Sequence, residues 1–148
     1  MHFLDWGSIL KIVVAYFVAL PVGWERERDE RSAGLRTFPL VAVATCGFLL
    51  IGLRSFPNDG PSQSRMLQGL IGGIGFIGAG TIMKVQNQVH GTATAASLLA
   101  TAIIGMAVAF GLYDMAILLS LISLFTLRAF TRWKLLHGEP ARKNSESK

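Results

Sequence analysis

The sequence predicts an all-α membrane protein of about five transmembrane helices packed around a glycine-rich third helix. Three observations predict it. The 148 residues are 51% hydrophobic and only 16% charged, against about 25% charged in soluble domains. The mean hydropathy is positive, +0.48, and the charges fall in short blocks between long bare stretches. The third is GLIGGIGFIGAG, Gly69 to Gly80, where six of twelve residues are glycine and none is charged. Each glycine would cost a water-exposed helix about 1 kcal/mol against alanine. In a bilayer, glycine instead lets a second helix backbone approach closely. Gly69, Gly73 and Gly80 share one helical face, and Gly72, Gly75 and Ala79 the adjacent one. With Gly78 they form the expected packing surface of the bundle.

The first span runs from about Gly7 to Trp24, with Lys11 positioned to snorkel and Pro21 to kink the helix. No basic residue precedes Lys11 and no small-residue cleavage site follows, so a cleaved signal is not expected. ERERDERSAGLR, Glu25 to Arg36, holds four acids and four bases. Its first half extends the first helix, with pairs such as Glu25–Arg28 and Glu27–Arg31. Span two covers about Phe38 to Leu53, and the loop Arg54 to Pro61 follows. Span three runs from about Met66 to Met83. A short polar connection, Lys84 to Gly91, leads to span four, Thr92 to Leu112. Span five, Met115 to about Phe130, has only thirteen uncharged residues before Arg128, so it is short or Arg128 snorkels. Residues 1–130 thus form the transmembrane domain, and 131–148 a basic tail expected to be disordered at its end.

Five spans place loops one and three and the C-terminus on one side, with eleven of the fourteen lysines and arginines. Only Arg54 and Arg65 flank the other side. The positive-inside rule puts the N-terminus outside and the C-terminus in the cytoplasm. The net charge of +5 follows from this topology and implies no nucleic-acid partner.

Function is harder to read. GGIGFIGAG contains a literal G-x-G-x-x-G, but it lacks the strand before it and the acidic residue about 20 positions on that a dinucleotide site needs. No span carries an acid, histidine or base near its midpoint, which argues against a proton-coupled carrier. Backbone carbonyls of a broken glycine helix could still hold an ion. Thr94, Ser97 and Thr101 share a face with Gly105, expected to pack against the glycine helix or to line a polar path. There is no nucleophile–base pair, His90 stands alone on a loop, and Cys46 lies in an apolar run. No enzyme and no cofactor are expected, and no metal-ligand set is legible.

Topology brings Glu25, Glu27, Arg36, Thr37, Thr92 and Thr94 to the cytoplasmic face. Arg36 is expected to pair with Glu25 or Glu27, and Thr92 to cap a helix. The cluster is either a functional site or a salt-bridged clamp. Arg26 and Arg28 are expected to be solvated.

W-E-R-E at 24–27, A-G-L-R-T at 33–37, G-I-G-F-I-G-A-G at 73–80 and T-A-T-A-A-S at 92–97 resemble the MgtC/SapB family of bacterial inner-membrane proteins over about residues 9 to 113. The family's recurring residues fall here on Glu25, Arg26, Glu27, Gly34, Leu35, Arg36, Thr37, Gly73, Gly75, Phe76, Gly78, Ala79, Gly80, Gly91, Thr94, Ala95 and Ala96. The resemblance implies a role in adaptation to low magnesium. In pathogenic members it also implies survival inside macrophages and restraint of the proton-translocating ATP synthase. The family's usual glutamine before the glycine helix is Gly69 here, with Gln68 one position early, and its histidine after A-G-L-R-T is Phe38. Many members carry a soluble C-terminal domain, where this chain has a short basic tail. The expected function is modulation of magnesium-linked ion homeostasis by action on another membrane protein. The alternative is a transporter or channel for magnesium or another ion, and a homo-oligomer is compatible with either.

Overall fold

The computed structural model describes residues 5–28, 33–85 and 88–137, with side chains described as far as 129. Five helices and one hairpin follow in order: α1 (Trp6–Arg28), α2 (Thr37–Ser55), α3 (Gly60–Gly80), β1 (Met83–Val85), β2 (Gln88–His90), α4 (Thr92–Ala109) and α5 (Tyr113–His137). The tail from 138 onward, and Arg31 with its expected pairing, lie outside the described residues.

Cross-links set the helix directions. Lys11 meets Ala109 and Arg26 meets Thr94, so α1 and α4 are antiparallel. Ser120 reaches Val18 and Arg128 reaches Glu25, so α5 runs parallel to α1. Arg54 bonds Asp5 and Ser8 while Glu27 bonds Leu35, making α2 antiparallel to α1. One end of the bundle therefore gathers the end of α1, the starts of α2 and α4 and the hairpin. It is called the basic end below.

α1, α2 and α4 are each long and apolar enough to cross a membrane. Among the described residues α3 falls outside that group. Gln63, Arg65, Gln68 and seven glycines dilute α3. α3 also starts earlier than expected, at Gly60, because Asp59 caps it by accepting from the Ser62 amide at 3.2 Å. The Ser62 hydroxyl and amide hold the Asp59 carboxyl below its usual range. The expected polar connection Lys84–Gly91 is a hairpin, with Met83 opposite His90 and Val85 opposite Gln88.

The fold class is as expected, but its centre is α4 rather than α3. Ala15, Ala19, Ala42, Cys46, Leu49, Ile104 and Val108 form one core in which α1, α2 and α4 meet. Small side chains allow this approach, and dispersion between the close backbones holds it. The tightest crossing is at Gly105, where a Cβ would fall on the Ala42 carbonyl oxygen. Gly105 thus packs against α2, not against the glycine helix. The Ser97 and Thr101 hydroxyls on the same helix donate to Ala93 O at 2.7 Å and Ser97 O at 2.8 Å. Those protons are spent within α4 and line no path.

α3 sits at the edge of the bundle. Only Ile74 and Gly78 are buried along it, and a Cβ on Gly78 would lie 3.5 Å from Ala95. A Cβ added at Gly69, Gly72, Gly73, Gly75 or Gly80 would meet nothing within 4 Å. Gly73→Leu and Gly75→Leu are therefore expected to leave the melting temperature in detergent within a few degrees of the parent. A drop like that of a core substitution would show that these glycines are packed within the single chain.

Lys11 does not snorkel. Its Nζ donates to Ala109 O at 2.8 Å, placing a cation on the last carbonyls of α4, where the helix dipole is negative.

Candidate functional site at the basic end

α1 carries its core face at Ala15, Ala19, Val22, Gly23 and Arg26, a spacing of three and four that keeps one side of a helix inward. This phase turns Arg26 into the protein. Arg26 is 2% exposed, and its Nη2 donates to the Thr94 hydroxyl, one of the contacts it makes. Thr94 lies in the first turn of α4 and is itself buried. The expectation that Arg26 is solvated is overturned. The charged run was read as one exposed stripe, although the helix phase of the preceding alanines continues through it.

Glu25, one residue earlier, is 8% exposed. Its Oε2 accepts from Arg128 Nε on α5 at 2.9 Å. Arg128, not Arg36 or Arg28, is the partner of Glu25. The pair is asymmetric, because the Arg128 side chain is 57% exposed and the Glu25 side chain 10%. Water screens the arginine, so the pair adds little by itself. For the carboxylate the contact matters more, since a buried acceptor left unmade costs about 1–3 kcal/mol.

Glu27 is exposed and turns to the loop, where its Oε2 accepts from the Leu35 amide at 3.1 Å. A Cβ on Gly34 would collide with that same carboxylate. This explains a glycine in A-G-L-R-T: the loop backbone closes on Glu27. Arg36 is exposed, and among the described residues Glu25 and Glu27 are engaged elsewhere. Thr37 is half-buried and Thr92 exposed. Thr92 is no cap; it is the first residue of α4, and the N-cap is Gly91 at φ +89°. That left-handed backbone favours glycine, and a Cβ there would also strike the Thr81 carbonyl oxygen. Thr81 in turn directs its hydroxyl to Gly78 O at 2.7 Å and to Gly91 O at 3.4 Å, so the end of α3 meets the start of α4.

Of the expected cluster, then, Glu25 and Thr94 are drawn into one buried contact zone. Glu27 braces the adjacent loop, and Arg36, Thr37 and Thr92 stay on its rim. Arg26 and Arg128 complete the zone. Successive residues of α1 thus tie α5 and α4 to it. Among the described residues no group of three His, Cys, Asp or Glu side chains is placed to hold a metal ion. The zone can position helices and present charge.

The model of the MgtC family matches residues 12–135. Protein SrpB of Synechococcus elongatus is 32% identical over 144 residues, covering 86% of this chain and 78% of its own. The putative magnesium transporter YhiD of Escherichia coli K12 is 31% identical over 128 residues, covering 82% of this chain and 60% of its own. Protein MgtC of Salmonella typhimurium is 36% identical over 116 residues, covering 78% of this chain and 49% of its own. No solved structure matches the chain significantly. A family model spanning most of the chain and relatives above 30% identity lead to one conclusion: the chain belongs to the MgtC family.

Proposed function

We propose that this protein modulates magnesium-linked ion homeostasis in a bacterial inner membrane by acting on another membrane protein. The observation that carries the reading is the closed middle of the bundle. Gly105 lies against Ala42 with no room for a side chain, and the core around it is mainly apolar, with Thr45 and Thr101 its buried hydroxyl side chains. A helix bundle that tight has no room for a hydrated cation between α2 and α4. The outward face of α3 supports the second half of the proposal. Gln68, Gly72, Gly75 and Ala79 lie on one exposed strip at the spacing of a helix–helix seam. Small residues and a polar amide are what a partner helix engages in a bilayer. The link to magnesium rests on the family resemblance and on the YhiD relative, whose name gives magnesium.

The proposed topology has five crossings, with the N-terminus outside and the basic end in the cytoplasm, from the basic-residue asymmetry. The proton-translocating ATP synthase is one partner of the right kind. The name of the YhiD relative favours a second reading, direct magnesium transport. Purified protein in magnesium-loaded liposomes separates the two. The proposal expects efflux no faster than from empty liposomes, and protein-dependent efflux would establish transport instead.

A further inference from the structure

The hairpin between α3 and α4 is a surface without a covering. All six strand residues are exposed, including Met83 at 60%, Val85 at 47% and Val89 at 58%. Met83 and Val85 project from one face and Val89 from the other, as the pairing requires, so no single neighbour within the chain could cover both. An isolated two-stranded hairpin is marginal in water, and these apolar side chains worsen the case for a solvated one. Its outer edges carry unpaired backbone groups, which the hydrocarbon core does not tolerate. Only the headgroup layer satisfies both demands, offering donors and acceptors to the edges and acyl-chain tops to Met83, Val85 and Val89.

Charge points to the same place. Lys84 is the hairpin's fixed charge, and no aspartate or glutamate occurs between Asp59 and Asp114. α4, an apolar helix long enough to cross a membrane, begins two residues after His90. The hairpin therefore stands where that helix enters the bilayer.

We propose that the β1–β2 hairpin docks in the headgroup layer of an anionic bilayer, with Met83 and Val85 on one face and Val89 beside Lys84 on the other, the apolar side chains reaching the acyl boundary and the Lys84 ammonium turned up to lipid phosphate. Docking there fixes the base of the hairpin, where Thr81 meets Gly91, and with it the first turn of α4 that holds Thr94. Lipid charge is thereby coupled to the Arg26–Thr94 contact. The inference needs only that α4 crosses a bilayer and is independent of the magnesium reading.

The test places a cysteine at Val89 in the full chain and labels it with bimane; Cys46 is buried and stays unlabelled. The protein is reconstituted in phosphatidylcholine vesicles containing one quarter phosphatidylglycerol. The expected result is quenching by lipid carrying a nitroxide near the top of its acyl chain, and protection from aqueous iodide. Lys84→Gln, with unchanged helical circular dichroism, is expected to lower the docked-to-free ratio about five-fold. Removing the phosphatidylglycerol should do the same. Iodide quenching without lipid quenching would overturn the proposal. So would excimer emission from a pyrene at the same cysteine that persists in excess lipid, because that would mean strand pairing between two copies.

Discussion

Gly105→Leu is expected to prevent the bundle from assembling, and Gly105→Ala to weaken it measurably. The cause is backbone against backbone: a Cβ at this position falls on the Ala42 carbonyl oxygen, and no side-chain rotation relieves it. Either α4 moves away from α2 or one helix must deform. Overpacking by a single methyl costs about 1–3 kcal/mol in a rigid core. Leucine adds three more carbons at the same point, beside buried Ile104 and Val108. Thermal unfolding in detergent checks the alanine variant, and the amount of protein in membranes checks the leucine variant. Parent-like melting of Gly105→Ala would mean that α2 and α4 do not cross here.

The second large effect falls on Arg26. Arg26→Ala is expected to destabilise the protein by about 3 kcal/mol. It removes a charge-assisted hydrogen bond to Thr94 and leaves a cavity where a long stem was packed. Arg28→Ala, two residues on and exposed, should stay within about 0.5 kcal/mol of the parent. Arg26→Met keeps the volume without the charge and separates the two contributions, since an apolar replacement of a buried ion can be nearly neutral. Equal stability of the Arg26→Ala and Arg28→Ala proteins would place Arg26 in solvent.

Much of this architecture was legible in the chain, for identifiable reasons. The spans show because a bilayer demands about 20 apolar residues per helix, and Thr37–Ser55 and Thr92–Ala109 supply them nearly uninterrupted. Glu25 and Thr94 were legible as neighbours because alternating spans return their helix ends to one side. The centre of packing was not. Glycine marks where a backbone can be approached, not whether anything in the same chain approaches it. The single Gly105 does more for this fold than five glycines of α3 that a Cβ would leave uncrowded. Arg26 was missed because its charged neighbours outweighed its helix phase. Carrying the Ala15, Ala19, Val22 spacing one turn further finds it. The partners of Arg128 and Lys11, Glu25 and Ala109, were not legible because they lie about 100 residues away in sequence, where local pattern has no reach. The hairpin was invisible for a different reason, as strands of three residues carry too short an alternation to read.

The central claim is that the protein works through a partner helix on the smooth face of α3, at a position its own fold leaves free. The most direct measurement is magnesium-limited growth of a strain lacking the protein and carrying Gly75→Leu at parental membrane level. The account predicts that Gly75→Leu accumulates normally yet fails to restore growth, while the parent restores it and a bulky change at Leu121 on α5 (58% exposed) does no harm. Full rescue by Gly75→Leu would contradict it.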